Sequence, residues 1–500
     1  MRRWASDNAL GAAIVFAAMA TIYSSLVTGV VWTNHTIPNA LAQPYPSYRT
    51  WMEGRWFADM LLQIVGSAQG LQVVLGLLIQ ALNGFLFAEL LRVRGGWERV
   101  AVALLVGLHP TVLDYYAFTS DSIGFTLGDT LVVVAALLVQ RAKGWLGPSV
   151  AMFLIMLALA IYQPKIGILL VVFSAGTLMA LAARPGAAVL MRELPRSLGA
   201  LIGGIALYFA SSQLLISVHA PRNHVNSAQE MLVQFMAAYP AVANDLFMQA
   251  TNMPRTALIA LPAMAILGAA AILLRIARQG ILALFGAIVV LALLPAATRF
   301  SFIVNANTWE NAGRIGSSQA YALALLAAAA LGSIRSFPRL AAWVPAVLLL
   351  HAFAFIGAQE NGFLAMKTVY ETAAINRVVS RIEDVLPPDA PSSQAHPIVV
   401  FGELPLKHLR RLLTYPDRPF RPTASERAYI DYRQVDITNF FLGSSRVTYP
   451  SVLDIDTART AAVSHAAWPH EDSIFMAGNV LVVQLSPASE LGIPTTTPLR

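Results

Sequence analysis

Long apolar runs alternate with short polar stretches along most of this chain. The runs lie at roughly 11–32, 58–91, 100–117, 124–140, 149–162, 166–183, 197–218, 256–274, 281–298, 319–334 and 341–358. A helix of about 20 apolar residues crosses about 30 Å of hydrocarbon, so the pattern predicts eleven transmembrane helices. Two of the runs are short and are separated only by Gln163, Pro164 and Lys165. They are expected as two helices joined tightly, because a proline is well accommodated at the start of the returning helix; a single helix there would invert every later span. The first run is long enough to cross and is expected as a retained helix rather than a cleaved signal peptide.

From about residue 359 the pattern changes. The stretch QENGFLAMKTVYETAAINRVVSRIEDV has apolar residues at helical spacing and stops before Pro387 and Pro388, as a helix should. HPIVVFG and SIFMAGNVLVVQL read as strands, the second carrying a Gly-Asn turn. The expected fold is a polytopic α-helical membrane protein, with a transmembrane domain over 1–358 and a small extracytoplasmic α/β domain over 359–500.

Composition agrees and removes other classes. The chain is 57% hydrophobic and 12% charged, whereas an ordinary soluble domain carries about 25% charged residues. It has no cysteine, which excludes disulfides and thiolate metal sites. A net charge of +7 would suggest nucleic acid as the partner of a soluble chain; here it reflects loop lysines and arginines that set topology, and nucleic acid is not an expected partner. With the N-terminus in the cytoplasm, fourteen arginines and lysines fall on the inner side, from Arg2 to Arg339. Seven fall outside, namely Arg49, Arg55, Lys165, Arg222, Arg255, Arg299 and Arg314. That bias follows the positive-inside rule and puts the loop at 43–59, QPYPSYRTWMEGRWFAD, outside the cytoplasm.

The outer cations need an anionic reason to stay beside apolar spans. A phosphate is the natural one, since guanidinium binds it as a bidentate fork; anchoring to ordinary lipid headgroups accounts equally well for any single residue. Acids on the same side are Glu53, Asp114, Asp121, Glu230, Asp245 and Glu310. Such a carboxylate can act as general base towards an acceptor hydroxyl, or simply be solvated or paired with Arg49, Arg55 or Arg314. Tyr45, Tyr48, Trp51, Trp56, Tyr115, Tyr116, Phe118 and Tyr162 lie near outer span ends, where aromatics form an interfacial belt and where a sugar ring could stack. Asp129 and Gln163 sit in or beside apolar runs, so each is a functional candidate, although Asp129 could instead cap a helix broken near Gly128. Nucleotide-binding loops and HExxH are absent.

GRWFADML in the first outer loop, the later PTVLDYYAFTSDS, and the Tyr162-Gln163 pair in ALAIYQPKIG, with about eleven spans and an outer C-terminal domain, resemble the type II Gtr family of O-antigen glucosyltransferases. These are membrane-embedded enzymes of the GT-C class, known for bacterial serotype conversion. The resemblance implies a polyprenyl-phosphate sugar donor, typically glucose on undecaprenyl phosphate. It implies a lipopolysaccharide or lipid-linked glycan acceptor, and an active site facing the periplasm from the bacterial inner membrane. A flippase and a donor-synthesising glycosyltransferase would be its partners beside membrane lipid. Arg49, Arg55 and Trp56 match the family's first-loop pattern, Asp121 the acid of its second outer loop, and Tyr162 with Gln163 its Tyr-Gln pair. One departure stands out: an acidic pair often found four residues before the first arginine is replaced by Tyr45-Pro46.

The resulting expectation is an inverting transferase. Glu53 comes first as base, then Asp121, with Asp114 as a further candidate. Arg49, Arg55, Arg299 and Arg314 would hold the donor phosphate, and Trp56, Tyr116, Tyr162 and Gln163 would contact sugar or acceptor. No cofactor is required; Mg or Mn stays open because some GT-C relatives use a metal, although no ligand cluster demands one. The rival readings are a flippase or carrier of lipid-linked glycans, and a GT-C transferase or ligase for another sugar.

Overall fold

The computed structural model describes residues 2–28, 31, 51–66, 68–119, 121–142, 144–184, 186–216, 225–247, 254–305, 312–333, 339–386, 395–402 and 434–487. These residues fall chiefly into a helical unit up to Asn361 and a mixed unit from Gly362 onward.

In the helical unit the chain forms α1 (Arg2–Ile22), α2 (Ser24–Thr28), α3 (Trp56–Val65), α4 (Gln69–Leu90), α5 (Gly96–Leu108), α6 (Leu113–Ala117), α7 (Ser122–Arg141), α8 (Leu146–Ile161) and α9 (Lys165–Leu181). It continues with α10 (Leu194–Leu215), α11 (Ala228–Phe247), α12 (Arg255–Ala277), α13 (Ile281–Thr298), α14 (Phe300–Val304), α15 (Ala312–Ile315) and α16 (Ser318–Ser333), and α17 (Arg339–Val385) starts in this unit and continues from Gly362 in the mixed one. By length and composition six of the described helices can cross a membrane, or seven if the bent pair Gly96–Leu108 and Pro110–Ala117 is one span. This is a polytopic helical membrane protein. The eleven apolar runs correspond to fewer helices of full spanning length, because Asn8–Ile22, Trp56–Val65, Leu146–Ile161, Lys165–Leu181 and Ser318–Gly332 are shorter.

The departures from the sequence pattern have local causes. The run at 58–91 breaks at Gly66, which holds φ at +72°, a conformation open to glycine at little cost. The run at 100–117 bends by 54° at His109, whose φ of −56° and ψ of 132° are what a following proline imposes. The stretch around Glu230, which lies between the apolar runs at 197–218 and 256–274, is the helix α11. Ser227 and Glu230 cap it reciprocally: the Ser227 N–H donates to Glu230 Oε2 at 2.7 Å, and the Glu230 N–H to Ser227 Oγ at 3.3 Å, a start that sequence spacing can signal. Asp129 does not cap a broken helix, since α7 runs through Gly128 without interruption. The last apolar run and the amphipathic stretch after it form one 47-residue helix, α17.

Helix α7 is the hub, packed against α4, α8 and α9. Lipid supplies no hydrophobic force between helices, so close backbone approach and polar ties hold them together. A Cβ on Gly84 would lie 2.4 Å from Ala103 Cα, and one on Gly268 2.4 Å from the Leu326 carbonyl oxygen. The α4–α7 seam is laced by Asn83, whose Nδ2 donates to the Thr126 carbonyl at 2.8 Å while its Oδ1 accepts from Thr130 Oγ1 at 2.7 Å.

The mixed unit holds a four-stranded sheet in the order β2-β1-β4-β3, with β1 (His396–Phe401), β2 (Val447–Thr448), β3 (Ile474–Ala477) and β4 (Val480–Gln484). β1 runs parallel to β2 and β4, and β3 is antiparallel to β4 across a turn at Gly478. Strand alternation sends Ile398 and Val400 to one face, against Ile375, Val378 and Ile382 of α17. It sends Val399 and Phe401 to the other, against Ala458 and Ala462 of α19 (Val452–Ala462); α18 (Gln434–Leu442) precedes β2.

Candidate functional site

The site assembles where the loop before α3 meets the ends of α7, α8, α9 and α10. Trp51 anchors the loop by donating from Nε1 to the Leu215 carbonyl at 2.9 Å. Gln163, in the three-residue link between α8 and α9, donates from Nε2 to the Glu53 carbonyl at 2.5 Å and to the Tyr208 hydroxyl at 2.9 Å. Gly54 makes this approach feasible: its φ is +81°, and a Cβ there would stand 2.6 Å from Tyr208 Oη and 3.0 Å from Gln163 Nε2. Gly54→Ala should therefore cost about 1–3 kcal/mol through backbone strain and crowding. The expected result is a lower unfolding temperature in detergent together with reduced activity, whereas Gly66→Ala meets no atom within 4 Å and carries the backbone strain alone.

Two guanidiniums converge on Tyr162. Arg55 pairs with Glu53, Nη1 to Oε2 at 3.3 Å, and its Cζ lies 5.0 Å from the Tyr162 ring centroid. Arg314 arrives from α15; its Cζ is 4.1 Å from the Phe118 ring and 5.6 Å from that of Tyr162. The backbone of Arg314 is held by Asp114, whose Oδ2 accepts its N–H at 3.0 Å. Gly313 leaves room for that contact, since a Cβ would fall 2.0 Å from the same oxygen. Gly313→Ala should displace Arg314 and reduce activity more than it reduces stability, a split that parallel turnover and thermal-shift measurements would show.

Asp121 stands at the N-cap of α7 and makes no capping hydrogen bond with its side chain. Burial pushes its carboxyl above the usual range; the nearby Arg314 and Arg55 pull it down, and Glu53 adds a further upward push. Glu53, Arg55, Asp121 and Arg314 thus share one electrostatic environment around Tyr162. Within it Arg55 Nε, Arg314 Nε and the Trp56 indole N–H are buried with no acceptor among the described residues. Buried donors are ordinarily satisfied, and an oxyanion is what clustered guanidinium donors suit.

The other expected residues fall elsewhere or serve other ends. Asp114 Oδ2 accepts the Arg314 backbone N–H. Tyr116 is fully buried, with its hydroxyl donating to the Gly107 carbonyl at 3.5 Å and its ring 5.0 Å from that of Tyr23, so the structure does not bring it to this cluster. Arg299 lies beside Phe302, its Cζ 5.5 Å from that ring. Lys165, expected on an outer loop, is 1% exposed and paired with Asp129. Arg49, Tyr45, Tyr48, Arg222 and Glu310 lie outside the described residues, as do the side chains of Asp245 and Arg255. Sequence reasoning missed Tyr208; a phenol inside the apolar run 197–218 needs a polar partner when buried, and that was the available signal. Among the described residues no group of three or more His, Asp or Glu is placed to hold a metal ion.

A family model described as Glucosyl transferase GtrII matches residues 39–326, more than half of the 500-residue chain. That span contains every residue of the cluster around Tyr162. No curated protein and no solved structure matches the chain.

Proposed function

The chain belongs to the glucosyl transferase GtrII family, and from that premise we propose that it transfers glucose from a polyprenyl-phosphate donor to a lipopolysaccharide or lipid-linked glycan on the periplasmic face of a bacterial inner membrane. The observation that carries this reading is the pair of guanidiniums on Tyr162, both with a buried Nε that has no acceptor among the described residues. Arg55 and Arg314 bind the donor phosphate and stabilise the negative charge that grows on it as the glycosidic bond breaks. Donor and acceptor are both tethered to lipid, so positioning supplies much of the remaining acceleration.

The step is a single displacement. Asp121 takes the proton of the acceptor hydroxyl, the hydroxyl oxygen forms the new bond to the anomeric carbon, and the bond to the phosphate oxygen breaks with its electron pair. Polyprenyl phosphate leaves and the anomeric centre inverts. Asp121 suits the base better than Glu53, because Glu53 already pairs with Arg55 while the Asp121 carboxyl is raised by burial, towards the range a general base needs. Trp56, Tyr162 and Gln163 contact the sugar. A carrier would want a polar path through the spans; Asn83 instead donates to Gln80 within α4 and to the Thr126 carbonyl of α7, and Asp129 accepts from Tyr321 of α16, which favours the transferase.

The test is transfer of radiolabelled glucose from a synthetic polyprenyl-phosphate glucose to isolated lipopolysaccharide by the reconstituted protein. Label in the lipopolysaccharide is expected. Label that stays on the polyprenyl carrier with every glycan acceptor tried would turn the reading towards a carrier.

A further inference from the structure

Behind the Tyr162 cluster lies a second set of polar groups that no step of the proposed reaction uses. Lys165 opens α9 and is 1% exposed; Asp129, in the third turn of α7, is fully buried, and the two form an ion pair. The Lys165 ammonium also donates to the Tyr115 hydroxyl at 2.5 Å and lies 4.0 Å from the Tyr115 ring centroid. Tyr321 of α16 donates to Asp129 Oδ2 at 2.9 Å. From this pair the hydrogen bonds continue in one direction: Tyr115 Oη donates to Ser317 Oγ at 2.6 Å, and Ser317 Oγ donates to the Arg314 carbonyl at 2.9 Å. The same lysine fixes the link before α9, since its backbone N–H donates to the Tyr162 carbonyl at 3.0 Å.

We infer that the Lys165–Asp129 pair, acting through Tyr115 and Ser317, is a positioning device that holds the Arg314 guanidinium on Tyr162 for an anionic lipid phosphate. A buried ion pair contributes little net stability, because desolvation offsets its attraction. Its value lies in geometry: two charges that cannot separate in an apolar medium set the spacing of α7 and α9, and two hydroxyls carry that spacing to the backbone of Arg314. Asp114 clamps the Arg314 N–H while Ser317 clamps its carbonyl, so both peptide groups of this residue are tied down. A side chain held at both ends of its backbone loses less freedom on binding, which is where preorganised sites gain affinity. The inference rests on the phosphate-binding reading of Arg55 and Arg314 given above.

The experiment measures binding of a short-chain polyprenyl phosphate, and of the matching neutral polyprenol, to the detergent-solubilised full chain. The wild type should prefer the phosphate. Ser317→Ala and Tyr115→Phe leave the ion pair in place, and each should weaken phosphate binding about fivefold to tenfold with polyprenol binding unchanged. In an Arg314→Ala background the same changes should add less than about twofold, the non-additivity expected of residues acting through one another. Lys165→Met combined with Asp129→Leu removes the pair without leaving a lone charge and should show the same loss; if that protein does not fold, the two hydroxyl variants decide. Wild-type phosphate affinity in Ser317→Ala and Tyr115→Phe, or losses that multiply with that of Arg314→Ala, would overturn the inference while leaving the phosphate site intact. A wild type that binds polyprenol as tightly as polyprenyl phosphate would bring down the phosphate reading itself, and this inference with it.

Discussion

Asp121→Asn is expected to lower the rate of glucose transfer by about 10²- to 10⁴-fold, the usual contribution of a general base, with expression and unfolding temperature close to wild type. The amide keeps the size of the carboxylate and can still sit at the N-cap of α7, so the loss would report chemistry rather than folding. Burial raises the Asp121 carboxyl, and the sign of the pH effect follows. The base must be ionised to accept a proton; below its raised pKa it is protonated and idle. kcat/KM should therefore rise with pH through a range above that of an ordinary aspartate, and that acidic limb should vanish in the residual activity of Asp121→Asn. Glu53→Gln should behave differently: it removes the partner of Arg55 and one negative charge beside Asp121, which moves the limb to lower pH. If Glu53→Gln abolishes turnover while Asp121→Asn leaves both rate and limb untouched, the two acids exchange roles.

Arg55→Ala and Arg314→Ala should each reduce kcat by about 10²- to 10³-fold, the scale seen when one preorganised donor to a developing oxyanion is lost. Lysine should rescue little at either position, because a point charge lacks the planar fork that binds phosphate with two parallel hydrogen bonds. Arg314 carries the sharper prediction. Its guanidinium packs on Phe118 at 4.1 Å, and lysine would give up that stacking as well. Steady-state kinetics with polyprenyl-phosphate glucose check both: a fall in kcat places the arginines on the leaving phosphate, whereas a rise in KM alone would place them on ground-state binding.

Much of this was legible in the sequence, and what was not has identifiable reasons. The apolar runs locate the helices because lipid leaves backbone polar groups no partner outside a helix. They do not reveal where a run breaks, because Gly66 and Pro110 act through backbone angles rather than through hydropathy. The capping pair Ser227 and Glu230 could have marked α11, but a composition poor in continuous apolar residues hid it. At the site, Arg55, Asp121, Tyr162 and Gln163 stand out as polar or aromatic residues at run ends, and the structure gathers them. Arg314 reads as only one of seven outer cations until Phe118 and Tyr162 are seen around it. Tyr116 and Tyr115 are adjacent and chemically alike in sequence; helix α6 turns one towards Tyr23 and the other towards Lys165, a distinction only tertiary packing makes. The sequence ranks Glu53 ahead of Asp121 as base; the pairing of Glu53 with Arg55 is what favours Asp121 in the proposed step.

The Lys165–Asp129 pair also has a bearing on how the protein is made. Asp129 emerges from the ribosome 36 residues before Lys165, and at roughly 1.5 Å per residue it sits about 12 Å into its helix from Asp121. An unpaired aspartate in a membrane helix costs about 2.5–3.5 kcal/mol on insertion scales, a debt α7 carries until α9 is synthesised and brings the lysine. Through that interval α7 is best kept at the edge of the insertion machinery, with α8 made and waiting, so that α7, α8 and α9 enter the bilayer as a trio. A truncation ending between Ile161 and Lys165 should accordingly be cleared by membrane proteases faster than one ending after Leu181.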